Sequence, residues 1–244
     1  IFDRERIWGR WGHSGQYGTD SLVPGMAVEI VDNHTLEAYA RRIVAKVERF
    51  NKEYSAVTFT EPLPENIRPG HLIAADEPGP DVHISGCRMS GNRARGLLIG
   101  SRGRVIIENN YFHIAGASIL FEGDGNFWFE QSGVRDVTIR NNIFANGNYG
   151  SRGWGSACIA VGSGISQRQT SRYHRNIQVD GNLFRVFDPR IVNLYCVDGF
   201  QFSASNRIVR TSDYPATFDP KLHFVFDQCD HIEIPRQIEM AEQR

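Results

Sequence analysis

Three carboxylates and three large aromatic rings lie within nine residues of the sequence. The carboxylates are Glu122, Asp124 and Glu130, and the rings are Phe127, Trp128 and Phe129. A sugar packs its C–H face on an aromatic ring, while its hydroxyls bond to charged groups. This stretch therefore indicates a carbohydrate site. In it, Glu122, Asp124 and Glu130 are candidate catalytic groups, and Phe127 and Trp128 are candidate substrate contacts.

A structural explanation of the same residues stays open. The carboxylates of Glu122 and Asp124 would then accept hydrogen bonds in a turn. The aromatic side chains would cover a neighbouring part of the fold.

Two arginines form a second candidate group. Arg93 and Arg95 lie in a strand-like run, so alternation places their side chains on one face. A guanidinium fork there would orient a carboxylate or sugar hydroxyls. The alternative is a structural ion pair with Glu122 or Asp124.

A glycine-rich segment near the start of the chain, residues 11–18, carries several hydrogen-bonding side chains. His13, Gln16 and Tyr17 are candidate substrate contacts in this loop. The alternative for His13 is a structural or exposed histidine. His174, which precedes an apolar strand, is interpreted as structural.

The elements that would position these residues follow an internal repeat. Eight-residue segments begin at Val105, Val137 and Ile177, each with Ile or Val in third place, Asn in sixth and Phe in eighth. Degenerate copies begin at Val82 and Phe200. Such a repeat is the signature of a solenoid.

The repeat length indicates which solenoid. Successive copies begin 23, 32, 40 and 23 residues apart, and a second apolar run follows each. Alternating apolar and polar residues indicate half-buried strands, and Asn or Gly follows at a corner. The pattern predicts a right-handed parallel β-helix, in which each turn is here called a coil. Leucine-rich repeats would require Leu where this chain has Ile and Phe.

The repeat assigns different roles to its regular and irregular parts. Asn110, Asn142 and Asn182 are predicted to stack as a hydrogen-bonded ladder at one corner. The 32-residue interval contains extra residues, which include the aromatic segment. The site is therefore predicted where the repeat is interrupted.

The first 77 residues do not follow the coil pattern. Alternation in 27–31, 42–47 and 56–60 predicts antiparallel strands, although periodicity alone also allows a helix over 36–51. We prefer strands because this region is rich in β-branched residues. We predict a small antiparallel β-barrel-like subdomain with a flanking strand over 1–77, β-helix coils over 78–236 and a tail over 237–244.

Composition limits the classes of function. The chain has 244 residues, hydrophobic content of 41% and a formal net charge of −1. This charge argues against a nucleic-acid partner, and the absence of a long apolar run argues against a membrane span. Cys87, Cys158, Cys196 and Cys229 lack metal-like spacing, so we expect small buried or stacking side chains. No cofactor or metal is predicted.

Several segments together resemble a known family, the α-1,3-galactosidases of glycoside hydrolase family 110. The resemblance covers nearly the whole chain in order. It is carried by Gly12-His13, Gln16-Tyr17-Gly18, Val28-Glu29-Ile30 after Pro24-Gly25, Asn92-Arg93-Ala94-Arg95-Gly96, Ile119 to Asp124, Phe127-Trp128-Phe129-Glu130 and Tyr173-His174-Arg175-Asn176-Ile177.

The resemblance implies an exo-acting enzyme that removes terminal α-linked galactose with inversion, on a β-helix with an inserted β-barrel. Inversion needs two carboxyls roughly 6.5–9.5 Å apart. Coils stack about 4.8 Å apart, so carboxylates one or two coils apart span that gap. It also implies secretion or a periplasmic location. An open β-helix end makes a homo-oligomer an expectation.

One part of the family pattern is missing. A pair of adjacent aspartates precedes the His-containing segment in the family, and this chain begins after it. Ile1 also starts in mid-pattern, so we expect the C-terminal portion of a longer protein. The active site is then expected to be incomplete in this chain.

Two other functions stay open on the residues. A polysaccharide lyase on a β-helix would use a Lys, Arg or His base and often Ca²⁺, and it predicts a long basic groove. A non-catalytic carbohydrate-binding β-helix, like an adhesin or tailspike, predicts plain corner loops. The acidic, Trp-bearing insertion favours the galactosidase.

Overall fold

The computed structural model describes residues 6–242 except for 11–20, 52–53, 78, 126–132, 151–152, 154, 164, 166, 168–170, 216–218, 220, 222, 237 and 239. The described part of the chain consists of β-strands and their connections, which confirms the all-β prediction. The chain divides into two compact units. Unit 1 comprises residues 1–78, 123–132 and 164–167, and unit 2 comprises the remainder.

Unit 1 contains an antiparallel sheet of five strands in the order β1-β4-β3-β2-β5. The strands are β1 (Arg6–Arg10), β2 (Ala27–Val31), β3 (Ala38–Arg49), β4 (Tyr54–Phe59) and β5 (Leu72–Ala75). The predicted antiparallel strands are therefore confirmed.

The long strand β3 decides between strand and helix for this region. Its first half pairs with β2 and its second half with β4, so both edges are hydrogen-bonded. Val28, Ile30, Val44, Val57 and Phe59 point to one side and form the core of the unit. Pairing and β-branched packing therefore override the helical periodicity.

Unit 2 consists of three parallel sheets, and each coil contributes one strand to each sheet in turn. The parallel β-helix prediction is confirmed. The first sheet contains β6 (Val82–Ser85), β9 (Arg104–Glu108), β12 (Asp136–Arg140), β15 (His174–Asp180), β18 (Val197–Phe202) and β21 (Asp230–Glu233).

The second sheet contains β7 (Arg88–Ser90), β10 (Tyr111–His113), β13 (Ile143–Ala145), β16 (Leu183–Val186), β19 (Arg207–Arg210) and β22 (Met240–Glu242). The third contains β8 (Leu97–Ile99), β11 (Ile119–Gly123), β14 (Ile159–Ser163), β17 (Val192–Tyr195) and β20 (Phe224–Asp227). Strand β22 lies in the segment predicted as a tail and pairs with β19.

The register of the first sheet matches the sequence repeat residue by residue. Val137 pairs with Val105 on one side and with Ile177 on the other. The phenylalanines in eighth place are fully buried, and their rings stack along the core. The centroid distances are 5.2 Å for Phe112–Phe144 and 4.7 Å for Phe144–Phe184.

The asparagine ladder is also confirmed. The side-chain oxygen of Asn142 accepts hydrogen bonds from the backbone and side-chain nitrogens of Asn110, at 2.9 and 3.0 Å. Asn182 receives the same two bonds from Asn142. All three residues are buried. The preceding residues, Asn109 and Asn141, have left-handed backbones, which Asn tolerates.

The ladder continues one residue beyond the place that the repeat predicts. Ser205 is in sixth place of its copy, but Asn206 accepts the bonds from Asn182. Ser205 instead accepts a hydrogen bond from the Gly181 backbone at 2.8 Å. One extra residue at this corner therefore shifts the ladder position.

The cysteines are all free. Cys158 and Cys196 are buried as predicted, whereas Cys87 is exposed, although its backbone nitrogen donates to Asn110 at 2.9 Å. Cys87 lies between β6 and β7, which are edge strands of the first and second sheets in the described part of the chain. No helix in the described ranges is long and apolar enough to cross a membrane.

The ladder gives a stability prediction. Replacing Asn142 by Ala leaves the buried N–H of Asn110 and the buried carbonyl of Ile107 without their partner. We expect the free energy of unfolding, measured by urea denaturation, to fall by at least about 3 kcal/mol.

The matched control is Asn109→Gly. This neighbouring asparagine has φ of 56°, which Gly adopts freely. Its substitution should change the free energy of unfolding by less than about 0.5 kcal/mol. Equal effects of the two substitutions would contradict a special role for the ladder.

Candidate active site

The candidate residues are best located by the alternation of side chains along the third sheet. In β11, Ile119 and Phe121 point into the core, and Leu120 and Glu122 point to the outer face. Leu120 packs with Ala160 of the next strand. The outer face of the third sheet is therefore the surface on which Glu122 lies.

Glu122 is half-buried and is the penultimate residue of its strand. Within the described part of the chain its carboxylate makes no hydrogen bond or ion pair. The predicted alternative, in which Glu122 accepts turn hydrogen bonds, is therefore not observed. A half-buried carboxylate without a structural partner is available for a ligand.

Asp124 follows directly after β11 and is half-buried. The next residue, Gly125, is tightly enclosed within unit 1. A Cβ at this position would lie 2.4 Å from a methyl group of Leu72 and 2.5 Å from one of Leu36. There is thus no room for a side chain at Gly125.

The remaining predicted residues of the insertion, Phe127, Trp128 and Glu130, lie outside the described residues. The same holds for His13, Gln16 and Tyr17 of the glycine-rich loop. The structure therefore leaves these six as predictions.

The two arginines do not lie in a strand, which corrects the prediction that their side chains alternate. They belong to the loop between β7 and β8, where the Asn92 side chain donates to the carbonyl of Arg95 at 3.1 Å. Arg93 is exposed. Arg95 is half-buried, its Nε has no hydrogen-bond partner among the described residues, and no ion pair with Glu122 is formed there.

A residue that the sequence analysis missed lies on the same outer face. Asn193 is on β17, in register with Ala160 and Val225, and is only 8% exposed. Its Nδ2 donates to Ser156 at 2.6 Å. Its Oδ1 is buried and has no hydrogen-bond partner among the residues that the structure describes. An unsatisfied buried acceptor costs about 1–3 kcal/mol, which a ligand hydroxyl would offset.

The sequence contained a signal for Asn193. It is the only polar residue in the apolar run 191–194, in a third-sheet strand. Nothing in the repeat required an amide there. A single polar residue at an outward position of a buried run is therefore a useful marker of a site.

The distances along the third sheet constrain the carboxylate pair. Asp227 occupies the same outer row as Tyr195, its register partner, and belongs to the fourth strand of the order β11-β14-β17-β20. Three steps of about 4.8 Å separate the backbones of Glu122 and Asp227 by about 14 Å. Glu122 and Asp227 thus lie at opposite ends of one outer row of the third sheet.

The carboxylate of Asp188 is not available to a ligand, because it is paired with Arg190. Arg190 donates from Nε and Nη2 to its two oxygens, each at 2.8 Å. Arg190 also donates to the carbonyl of Asn148 at 3.3 Å. This two-pronged, largely buried pair holds the loop before β17 in place.

His174 is structural, as predicted. It is fully buried, its Nδ1 accepts from the backbone of Val134 at 3.3 Å, and its Nε2 donates to the carbonyl of Gly162 at 2.8 Å. Burial lowers the pKa of His174 to about 4 from its ordinary 6.5. The native protein therefore holds a neutral imidazole at neutral pH.

This lowered pKa gives a pH prediction. Below pH 6.5 His174 is protonated in the unfolded chain but stays neutral in the native protein down to about pH 4. The contribution of His174 to the free energy of unfolding is therefore complete above pH 6.5 and is lost as the pH falls towards 4. The loss should reach about 3 kcal/mol in urea titrations at pH 7, 5.5 and 4.

Two variants check the assignment. His174→Gln should be less stable at pH 7 but should lose less free energy of unfolding between pH 6.5 and 4. His113→Gln, at the end of β10, should keep the wild-type slope. If the slope of His174→Gln equals that of the wild type, another group causes the acid sensitivity.

Comparison with known proteins identifies relatives of both units. Residues 6–73 match a family model described as GLAA-B beta-barrel domain II. This region corresponds to the antiparallel sheet of unit 1.

Longer similarities extend over the β-helix. The chain is 37% identical over 216 residues to alpha-1,3-galactosidase A of Shewanella woodyi, covering 88% of this chain and 35% of that protein. It is 34% identical over 213 residues to alpha-1,3-galactosidase B of Bacteroides thetaiotaomicron, covering 86% and 34%. The chain thus spans about a third of the length of the curated relatives it matches.

Proposed function

Over most of its length this chain is a homologue of the α-1,3-galactosidases, and we propose that it takes part in glycoside hydrolysis that removes terminal α-1,3-linked galactose. The observation that supports this chemistry is Glu122. Its half-buried carboxylate faces outwards from a parallel sheet and makes no hydrogen bond with any residue in the described ranges. The substrate class follows from the names of the relatives.

We further propose that hydrolysis proceeds with inversion and that Glu122 and Asp124 form the carboxyl pair. One protonates the leaving glycosidic oxygen, and the other removes a proton from the attacking water. The two residues are separated by one residue in the sequence, and in this proposal their side chains would set the roughly 6.5–9.5 Å between carboxyls that inverting enzymes need.

Asn193 supplies a binding group in this proposal. Its free Oδ1 would accept a hydrogen bond from a sugar hydroxyl. Asn193 lies two strands from Glu122 and one outward position away, a backbone separation of roughly 12 Å. A substrate of two sugar rings is long enough to contact both residues.

The polysaccharide lyase is disfavoured by the outer face of the third sheet. Its outward strand positions carry two carboxylates, Glu122 and Asp227, and no basic side chain. A lyase base of the Lys, Arg or His type would have to come from elsewhere. A non-catalytic carbohydrate-binding β-helix is left as the second candidate, because a free carboxylate and amide also suit binding alone.

An activity screen separates these functions. The protein is incubated with an aryl α-galactoside, an α-1,3-linked digalactoside and polygalacturonate. We expect galactose release from the first two only, with β-galactose as the first anomer seen by proton NMR. Initial α-galactose would exclude inversion. Unsaturated products from polygalacturonate would establish a lyase. Glycan binding without turnover would fit either a binding module or an active site that is incomplete in residues 1–244.

The carboxylates are tested individually. Glu122→Gln and Asp124→Asn should each lower kcat at least about 100-fold, because an acid or base is lost. The control is Asp136→Asn, an exposed carboxylate of the first sheet, which should keep wild-type kcat. A lower melting temperature with normal specific activity would instead assign the changed residue to the turn.

Asn193 gives a prediction that separates stability from affinity. Asn193→Leu removes an unsatisfied buried acceptor but also the hydrogen bond from Nδ2 to Ser156, so the two effects on the free energy of unfolding should nearly cancel. The loss of one neutral hydrogen bond to substrate should raise KM about tenfold.

The matched control is Asn182→Leu, which removes a fully hydrogen-bonded buried amide and should lower stability strongly. A destabilised Asn193→Leu variant with unchanged KM would show that Asn193 is structural.

A further inference from the structure

Three aromatic rings lie in a row at the corner between the second and third sheets. His113 ends β10, Tyr149 lies in the loop between β13 and β14, and Tyr214 lies in the loop between β19 and β20. The His113 and Tyr149 centroids are 5.0 Å apart with planes at 27°. Those of Tyr149 and Tyr214 are 6.2 Å apart with planes at 20°. Rings from three different coils thus form one surface.

Two of these rings are open to solvent. Tyr149 and Tyr214 are each 41% exposed. A separation of 6.2 Å between nearly parallel rings is an offset arrangement, because directly stacked rings approach more closely. Part of each ring face therefore stays uncovered. Tyr214 also packs on buried Phe187 at 5.0 Å, so the surface rests on the core of the unit.

Hydrogen bonds between coils hold the two loops in place. The Asn146 side chain donates to Asp213 Oδ2 at 2.6 Å and accepts from the Thr211 hydroxyl at 2.6 Å. The Asn146 backbone donates to the carbonyl of Arg185 at 2.7 Å. The bonds therefore link three successive coils. A surface fixed before binding loses little conformational entropy when a ligand arrives.

We propose that Tyr149, Tyr214 and Asp213 form a binding surface for a neutral hexose residue of a glycan. The uncovered ring faces would pack against sugar C–H groups. Asp213 is exposed, and within the described residues its second oxygen, Oδ1, accepts no hydrogen bond, so it is available to a sugar hydroxyl.

The composition of the surface favours a sugar over an apolar protein segment. Its exposed edge contains the polar residues Ser212 and Asp213, and the buried Asn146 and Thr211 hold this edge from below. The surface lies on loops that enter the third sheet, whereas Glu122 lies near the exit of a third-sheet strand. The binding surface is therefore independent of the proposed hydrolysis.

Binding is tested with the α-1,3-linked digalactoside and the Glu122→Gln protein. Saturation-transfer NMR gives the contacting sugar protons, and titration gives Kd. Tyr149→Ala with Tyr214→Ala should weaken binding at least about tenfold and abolish saturation transfer to one sugar ring. Asp213→Asn keeps the shape and should weaken binding about threefold.

The matched control is Phe50→Ala, which removes another exposed aromatic ring, 55% exposed, in unit 1. It should leave Kd unchanged. Tyr214→Phe keeps the ring and should bind as the wild type, which separates stacking from misfolding. Unchanged Kd in the double variant would overturn the proposal. So would loss of self-association without any sugar binding, because the surface would then be a protein contact.

Hydrolysis is measured separately in the wild-type protein, so the two proposals fail independently. Binding that depends on the tyrosines without galactose release supports the surface and refutes the hydrolase. Galactose release with tyrosine-independent binding does the reverse.

Discussion

Each coil of the β-helix depends on its neighbours for backbone hydrogen bonds, because its strands have no partner within the coil. This requirement fixes the register between coils, and the repeated side chains follow it. Asn142 can bond to Asn110 and Asn182 only because the three corners superimpose. The phenylalanine stack needs the same superposition. The hydrogen bonds of the asparagine ladder and the packing of the phenylalanine rings therefore require the same register between coils.

The same constraint separates the positions that must serve the structure from those that can bind a ligand. Inward positions must be apolar, and corner asparagines are saturated by each other, so neither can serve a ligand. The repeat does not restrict the residue type at outward positions or in corner loops. Glu122 and Asn193 are outward residues of the third sheet with unused hydrogen-bonding capacity. By contrast, Asp188 and Arg190 satisfy one another and belong to the scaffold.

Regular spacing also gives the proposed site its dimensions. Steps of about 4.8 Å between strands and roughly 6.8 Å between alternate residues decide which side chains can act together. They separate the backbones of Glu122 and Asp227 by about 14 Å, whereas Asp124 is two residues from Glu122 in the sequence. The tyrosine surface also depends on the regular stacking of coils. Rings from different coils meet there because their loops leave the β-helix at the same corner. A solenoid therefore suits a long substrate such as a glycan.

The sequence by itself determined the parallel β-helix, the Val105–Val137–Ile177 register, the asparagine ladder and the antiparallel strands of unit 1, because alternation and repeat period are local properties. Only the tertiary structure decided that Arg93 and Arg95 lie in a loop, that Asn206 replaces Ser205 in the ladder, and that Asn193 has an unsatisfied oxygen. It also brought Tyr149 to Tyr214. These features depend on how loops of unequal length stack between coils, which no local pattern encodes.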